Sequence, residues 1–466
     1  MPRSIQNSYP LGVAVFFLAA VFLMGGGARA DIQSLVILRP LVVICLGVAL
    51  WGVTKEQLAA MRVPLLLGAM LPLLMILQLI PLPPAVWTIL PGRDLFAQAA
   101  VLTGIEQPWR PISLVPYRTW NSLFACLVPL TALLLIARLS REQRFTLLPV
   151  LIGLGLVSGL LGLAQAVGSP EARLYFYEIT NNGSAVGLFA NRNHQAALLA
   201  CLFPMLAVYA SIDEQSPERW RLKALLWAGA ALFILPLLLV TGSRAGLVLG
   251  LIALLAAALL YRRPRHYVPR RRWRHRFNVR YAVGAGAILL LGGITAVFSR
   301  AKAIERLLMK DETEELRIQL LEPIWKMIQT YFPFGIGFGA FPDIFKVHEP
   351  FHLLATAYVN HAHNDLLEFV LEGGLPAAII LFVGVMVWVV GVARLRAAEG
   401  DIGRSVLFGR LGAAIIIILA AASIVDYPLR VPSISVVFVI AMIWMAFGAR
   451  SSISHQARGE AARDVP

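Results

Sequence analysis

The sequence predicts an all-α polytopic membrane protein, with about 12 transmembrane helices and a large, partly helical loop before the tenth span. Three observations carry that expectation. Of 466 residues, 58% are hydrophobic and 14% charged, and the mean hydropathy is +0.74, beyond the apolar share of a soluble domain. Apolar runs of the roughly 20 residues that a helix needs to cross a bilayer recur along the chain. Finally, with the most basic connector placed in the cytoplasm, the other connectors rich in Arg fall on the same side, as a multi-pass topology requires.

The runs lie near 11–28, 32–52, 63–80, 119–138, 145–167, 192–211, 222–241, 244–261, 281–299, 375–395, 405–425 and 432–449. The opening stretch to residue 31 has a basic start, an apolar core and an "ARA" that fits a signal-peptidase site, but first spans of polytopic proteins share these features and it reads as span one. Cys45, Cys126 and Cys201 all fall inside apolar runs; an odd number of such thiols is neither a disulfide framework nor a zinc spacing, and they read as packing residues.

The net charge of +15 is concentrated in "RRPRHYVPRRRWRHRFNVR", 262–280, which holds no acidic residue. Between two spans this is a cytoplasmic loop by the positive-inside rule, touching anionic headgroups, and not a nucleic-acid site. With that loop inside, the Arg-rich connectors 137–144 and 393–404 and the mixed 211–223 also come out cytoplasmic, as do both termini. The opposite face, the periplasm of a bacterial inner membrane, receives 81–118, 168–191, the turn "TGSRAG" at 241–246, the stretch 300–374 and "DYPLR" at 426–430. The expected organisation is therefore spans 1–9 over 1–299, a periplasmic loop over 300–374, spans 10–12 over 375–449 and a solvated cytoplasmic tail over 450–466.

A loop as long as 300–374 should fold and work. Leu316, Leu320, Ile324, Ile328 and Tyr331 recur at helical spacing, with Arg317 and Lys326 on other faces and Pro323 expected to kink or divide the helix. "FPFGIGFGAFPDIF" follows, turn-rich and aromatic; its glycines neither follow a strand nor open a helix, so a nucleotide loop is not expected. In "VNHAHNDLLEFVLEGG", Asp365 followed by Glu368 resembles a capping box, and Gly373, Gly374 and Pro376 interrupt the helix before the next span.

Charged side chains within or beside spans cost about 3 kcal/mol at mid-membrane, so each asks for a reason. Arg192, with Asn191, Asn193 and His194, opens the sixth span, and Arg244 sits in a turn on the same face. Either alone reads as a headgroup contact or a cap, but two on one face suit a shared anion site, because guanidinium forks pair bidentately with phosphate oxygens. Arg317 is a candidate third. His363, just ahead of a helix start, fits a general base, or alternatively an interfacial cap. "HEPFH" at 348–352 matches a zinc-protease pattern, but Pro350 opposes the helix that chemistry needs, and the histidines His348, His352, His361 and His363 lack tidy ligand spacing. No metal and no cofactor is expected.

"GLFANRNHQAALLA", "TGSRAGLVLG", "LRIQLLEPIWKMI" with "FPFGIGFGAF", and "HAHNDLLEFVLEGGLPAAI" occur in order, and over roughly 180–445 the chain resembles the O-antigen ligase and O-antigen polymerase superfamily; "WTILPGRD" and "SLVPYRTW" add a weaker likeness upstream. The resemblance implies a metal-independent inner-membrane glycosyltransferase of lipopolysaccharide or other polysaccharide biosynthesis, with a glycan on undecaprenyl diphosphate as donor. It implies His363 as base and Arg192 and Arg244 as diphosphate ligands; Arg317 remains the candidate third from the reading of the residues alone. Asn364 and Asp365 are expected to orient the base and cap its helix, Asn193 and His194 to support the site, and His361 to compete with His363 for the base's role. The acceptor hydroxyl, on lipid A core, a second lipid-linked repeat or a protein, is left open. The rival classes are a lipid-linked glycan flippase that cuts no bond and a structural subunit of an envelope complex.

Overall fold

The computed structural model describes residues 3–168, 174–212, 217–262, 312–354, 358–397 and 403–463. The expected ninth span at 281–299, the basic connector from residue 263 and the loop's start up to residue 311 lie outside the described residues. In chain order the helices are α1 (Arg3–Met24), α2 (Leu35–Gly52), α3 (Lys55–Ala60), α4 (Arg62–Leu79), α5 (Pro84–Trp87), α6 (Asp94–Leu102), α7 (Pro116–Ala125), α8 (Leu127–Ala137), α9 (Arg141–Val167), α10 (Arg192–Ser211), α11 (Pro217–Val240) and α12 (Arg244–Leu260). After the gap come α13 (Glu312–Tyr331), α14 (Phe341–His348), α15 (Asp365–Arg396), α16 (Arg404–Val425) and α17 (Pro432–Arg463).

Among the described residues, eight helices are long and apolar enough to cross a membrane, and the shorter apolar helices Tyr9–Met24, Leu225–Val240 and Arg244–Leu260 fall on further expected spans. In hydrocarbon every backbone N–H must be bonded within its own helix, which is why apolar runs of this length become helices. The run 119–138 is split at Cys126 into α7 and α8, because Pro129 has no N–H for the carbonyl of Ala125 and its ring crowds that oxygen.

α10 is the centre of the bundle: 94% of its span is buried, against 11% for the apolar stretch of α15. α9, α11, α12 and α16 pack around α10, and α16 lies antiparallel along α17. Burial begins at His194, while Asn191, Arg192 and Asn193 at the start of α10 are partly exposed.

Outside the bundle a second core forms from Leu320, Ile324, Met327 and Tyr331 of α13, Phe341 and Phe345 of α14, and Leu371 of α15. The periodicity that suggests α13 is thus a buried stripe. The helix is not divided at Pro323; it continues as one element to Tyr331. α15 does break where its glycines predict, with Gly374 at φ 63° and ψ −149°, a conformation open to glycine. α17 runs past the expected span end at 449 to Arg463, since the following residues are mostly good helix formers rather than a free tail.

The glycine-rich segment 332–340 grips that break. Leu375 N–H donates to the Pro333 carbonyl at 2.8 Å, Gly337 N–H to the Glu372 carbonyl at 2.9 Å and Ile336 N–H to the Leu371 carbonyl at 3.1 Å. A Cβ on Gly374 would lie 2.1 Å from the Pro333 oxygen, and one on Gly337 2.3 Å from Ser113 Oγ. The glycines serve backbone approach. The 81–118 connection, closed by strands β1 (Pro81–Leu82) and β2 (Arg110–Pro111), braces the segment from outside. There Arg93, fully buried, donates to the carbonyls of Pro91, Ile112 and Gly335 at 2.7–2.9 Å, and burial lowers its pKa to about 10. Gln78 completes the brace, donating to the Glu372 carbonyl at 2.9 Å and accepting from Phe338 N–H at 3.2 Å.

Candidate active site

The first turns of α10 and α15 meet the connection 426–430 between α16 and α17, and polar residues from all three converge there. Asp426 is the hub. Its Oδ1 lies 3.3 Å from His363 Nδ1 and accepts from the Tyr427 amide at 3.1 Å. Its Oδ2 accepts from Asn193 Nδ2 at 2.6 Å and Asn191 Nδ2 at 3.2 Å, and Arg317 Nη2 of α13 stands 3.7 Å away. Burial pushes the Asp426 carboxyl up, but the bond from His363 and the positive field of Arg317 outweigh it and hold the group well below the usual carboxylate range. An ionised carboxylate only accepts, so His363 Nδ1 is the donor, and in the neutral ring Nε2 is then the nitrogen with the lone pair. His363 itself adopts φ 51°, the left-handed region that non-glycine residues enter rarely.

His361 has different partners. Its Nδ1 lies 2.8 Å from Glu368 Oε1, and Glu368 Oε2 accepts from the Ala362 amide at 2.7 Å. Arg430 threads this acidic group, reaching Asp365 Oδ1 at 2.8 Å, Glu368 Oε1 at 3.1 Å and Glu372 Oε2 at 3.0 Å. Burial pulls the Arg430 pKa down, but three carboxylates drive it well above its ordinary value. Glu372 Oε1 also accepts from Gly339 N–H at 2.8 Å, so the ion cluster is tied to the glycine segment.

The ring of Tyr427 separates these two assemblies, with centroids 4.2 Å from His361, 5.3 Å from His363 and 5.1 Å from His194. His194 is 2% exposed, and neither of its ring nitrogens has a hydrogen-bond partner among the described residues.

Of the residues singled out from the sequence, His361, His363, Asn193, His194 and Arg317 come together around Asp426 and Tyr427. Arg192 is the first residue of α10, between two asparagines that bond Asp426, and its amide donates to Asn181 Oδ1 at 3.0 Å. Arg244 opens α12, whose first turn lies against that of α10: a Cβ on Gly246 would sit 2.6 Å from Ala196 Cβ. The cap of α15 falls one residue earlier than expected. Asn364, in extended backbone, accepts from Leu367 N–H at 3.0 Å, so Asp365 is the first helical residue and is free to bind Arg430. Glu368 is turned away from a capping box toward His361.

Sequence reasoning missed Asp426, Tyr427, Arg430, Glu368 and Glu372 as site residues. The available signal was charge on both ends of a five-residue turn, "DYPLR", between two apolar spans, where an unpartnered charge is costly. The zinc-protease pattern dissolves: His348 ends α14 with Nε2 2.7 Å from Tyr331 Oη, Glu349 is extended, and His352 lies in a separate 3-10 turn.

Fold and site define a multi-pass helical membrane protein with a histidine–carboxylate centre beside several arginines at one end of its bundle. Residues 228–382 match the family described as O-Antigen ligase, about a third of the chain and a narrower region than the likeness read from its motifs. The match over that region supports a likeness to the O-antigen ligase and polymerase superfamily, whose description points to glycan transfer at a membrane. The match includes Arg244, Arg317 and His363 and stops short of Arg192 and of Asp426–Arg430. No curated protein matches the chain.

Proposed function

We propose that the protein transfers a glycan from undecaprenyl diphosphate to an acceptor hydroxyl on the periplasmic face of a bacterial inner membrane. The observation that carries this reading is the His363–Asp426 contact, with Arg317, Asn191 and Asn193 gathered on the same carboxylate. A sugar or protein hydroxyl is a poor nucleophile until a base takes its proton. His363 Nε2 accepts that proton as the hydroxyl oxygen attacks the anomeric carbon, and Asp426, bonded at Nδ1, offsets the charge that develops on the ring.

As the new bond forms, the bond from the anomeric carbon to the diphosphate oxygen breaks, and the diphosphate leaves with the electron pair. Arg192, Arg244 and Arg317 supply fixed positive charge where that negative charge accumulates, a role that needs neither metal nor cofactor. Attack opposite the leaving group inverts the anomeric centre in one step. Asn364 caps the helix behind the base, and His361, held by Glu368, and His194 support the ring of Tyr427.

The test is to express His363→Ala and Arg244→Ala in a strain lacking the protein and to resolve its surface polysaccharide on a gel. Loss of the product by both, at membrane levels matching the wild type, is expected; wild-type polysaccharide from both overturns the reading. The same gel separates the acceptors, since a lost polymerase leaves single repeats attached and a lost ligase leaves chains unattached. Purified protein that moves the donor across a bilayer without cleaving it would favour a flippase instead.

A further inference from the structure

At the end of the bundle away from Asp426, a cavity of about 330 Å³ opens between α9, α16 and α17. α16 connects the two places: Ser405 lines the cavity at its start and Asp426 follows its last residue, and a helix of 22 residues at about 1.5 Å each is about 33 Å long, close to a bilayer's hydrocarbon thickness. Among the described residues lining it are Arg141, Arg144 and Arg450 and no carboxylate. Glu142, next to Arg141 in sequence, is paired with Arg404 at 3.1 Å.

The walls are aromatic and fixed. Phe145, Phe408 and Trp444 pack in series, the first pair tilted and the second edge-to-face, with centroids 4.4 Å and 5.2 Å apart, and Trp444 Nε1 donates to the Arg144 carbonyl at 3.2 Å. Arg144 lies 4.0 Å above the ring of Phe447 and donates to the carbonyls of Ile136 and Ala137 at 3.3 and 3.2 Å. Arg141 donates to Ser405 Oγ at 2.9 Å, and Arg450 to the carbonyl of Ala60. A guanidinium has several N–H donors, so these bonds position each group and leave others for a ligand. The positive ends of α9 and α16 lie here as well, and Gly403 brings no side chain to cap α16.

We infer that this cavity binds the phosphate of an anionic phospholipid from the leaflet opposite the candidate active site. Three arginines on rigid walls with no carboxylate among them select a phosphate, and the setting, at the end of spanning helices, supplies it on a lipid. A volume near the bottom of the usual ~300–1,000 Å³ range of ligand pockets suits a headgroup whose acyl chains remain in the membrane. The inference does not depend on the glycan-transfer reading, because none of these residues belongs to the site around Asp426.

The experiment uses the full chain, purified in a neutral detergent, with bound lipid counted by native mass spectrometry and thermal unfolding followed in parallel. Phosphatidylglycerol, phosphatidylcholine and inorganic phosphate are titrated separately. Phosphatidylglycerol is expected to bind at least about tenfold more tightly than phosphatidylcholine and to raise the unfolding temperature, and the Arg144→Gln/Arg450→Gln variant should lose that preference. Should that variant fail to fold, Arg141→Gln/Arg450→Gln is read in the same way, since among the described residues the Arg141 guanidinium bonds a side chain, Ser405 Oγ, rather than backbone. Equal binding of the two lipids, or an undiminished preference in the folded variants, overturns the proposal. Inorganic phosphate that displaces the lipid and alone reproduces the stabilisation assigns the cavity to a soluble phosphate and overturns the lipid assignment.

Discussion

His361 and His363 lie on the same tyrosine ring, two residues apart in sequence, yet their surroundings differ in kind. His361 is 12% exposed and ends in a closed ion cluster where Arg430 meets three carboxylates from successive turns of α15. His363 is 22% exposed and rests on Asp426, whose other oxygen collects groups from α10 and α13. The first arrangement draws its charged groups from one helix and one turn, and the second pools groups from separate elements around a ring whose Nε2 has no bond among the described residues. A built-in charge cluster makes the local fold; a convergence of elements on one accessible nitrogen makes a place for a proton to go.

The largest test of that contrast is kinetic. His363→Ala should lower the rate of donor consumption by purified protein about 10²–10⁴-fold, the usual contribution of a general base. His361→Ala should retain most of the rate while unfolding at lower temperature. The reverse ranking would make His361 the base and break the comparison.

The next effect is on stability, and it falls on the His361 side. Arg430→Gln leaves Asp365, Glu368 and Glu372 facing one another without their shared cation, for which a loss of about 3–5 kcal/mol is expected, seen as a lower unfolding temperature in detergent. Asp426 adds a pH signature on the other side. Its folded pKa is depressed, so its stabilisation is complete above the unfolded value near ~3.9 and is lost as pH falls below that toward the folded value. Asp426→Asn should flatten the acid limb of an unfolding-temperature profile; an unchanged limb would mean that other carboxylates control it.

This division also explains what the sequence disclosed. Hydropathy exposed the spans because each is a local run, and Gly373–Gly374 exposed the break in α15 because only glycine takes that backbone shape. His363, Arg192 and Arg244 were legible as polar residues at the edges of apolar runs. Asp426 and Arg430 were not, since nothing local marks a partner 63 or 58 residues distant, and the bonds that define them exist only after α15 and the 426–430 turn are packed together. The glycines of 332–340 had the right turn character but no visible object until Glu372 and Leu375 were seen in their grip.

That grip predicts a smaller stability change. Gly374→Ala places a Cβ 2.1 Å from the Pro333 oxygen in a backbone region that alanine avoids, and about 1–3 kcal/mol should be lost. Because Glu372 lies two residues away and bonds Arg430, the change should be transmitted to the His361 cluster and should lower the unfolding temperature more than the rate. A variant as stable as the wild type but slow would move the glycine segment from scaffold to chemistry.

The smallest expected effect discriminates most finely on the His363 side. Arg317 stands 3.7 Å from Asp426, a long contact for an ion pair, and its Nε has no hydrogen-bond partner among the described residues. If its cation serves the diphosphate, Arg317→Gln raises KM for the lipid-linked donor about tenfold, near the low end of the ~1.5–3 kcal/mol of a charged hydrogen bond, with kcat changed less. If it serves only to hold Asp426 ionised, KM stays and kcat falls, because the carboxylate beneath the base has lost its neighbouring charge. The ratio of the two changes therefore decides whether Arg317 belongs with Arg192 and Arg244 or with Asn191 and Asn193.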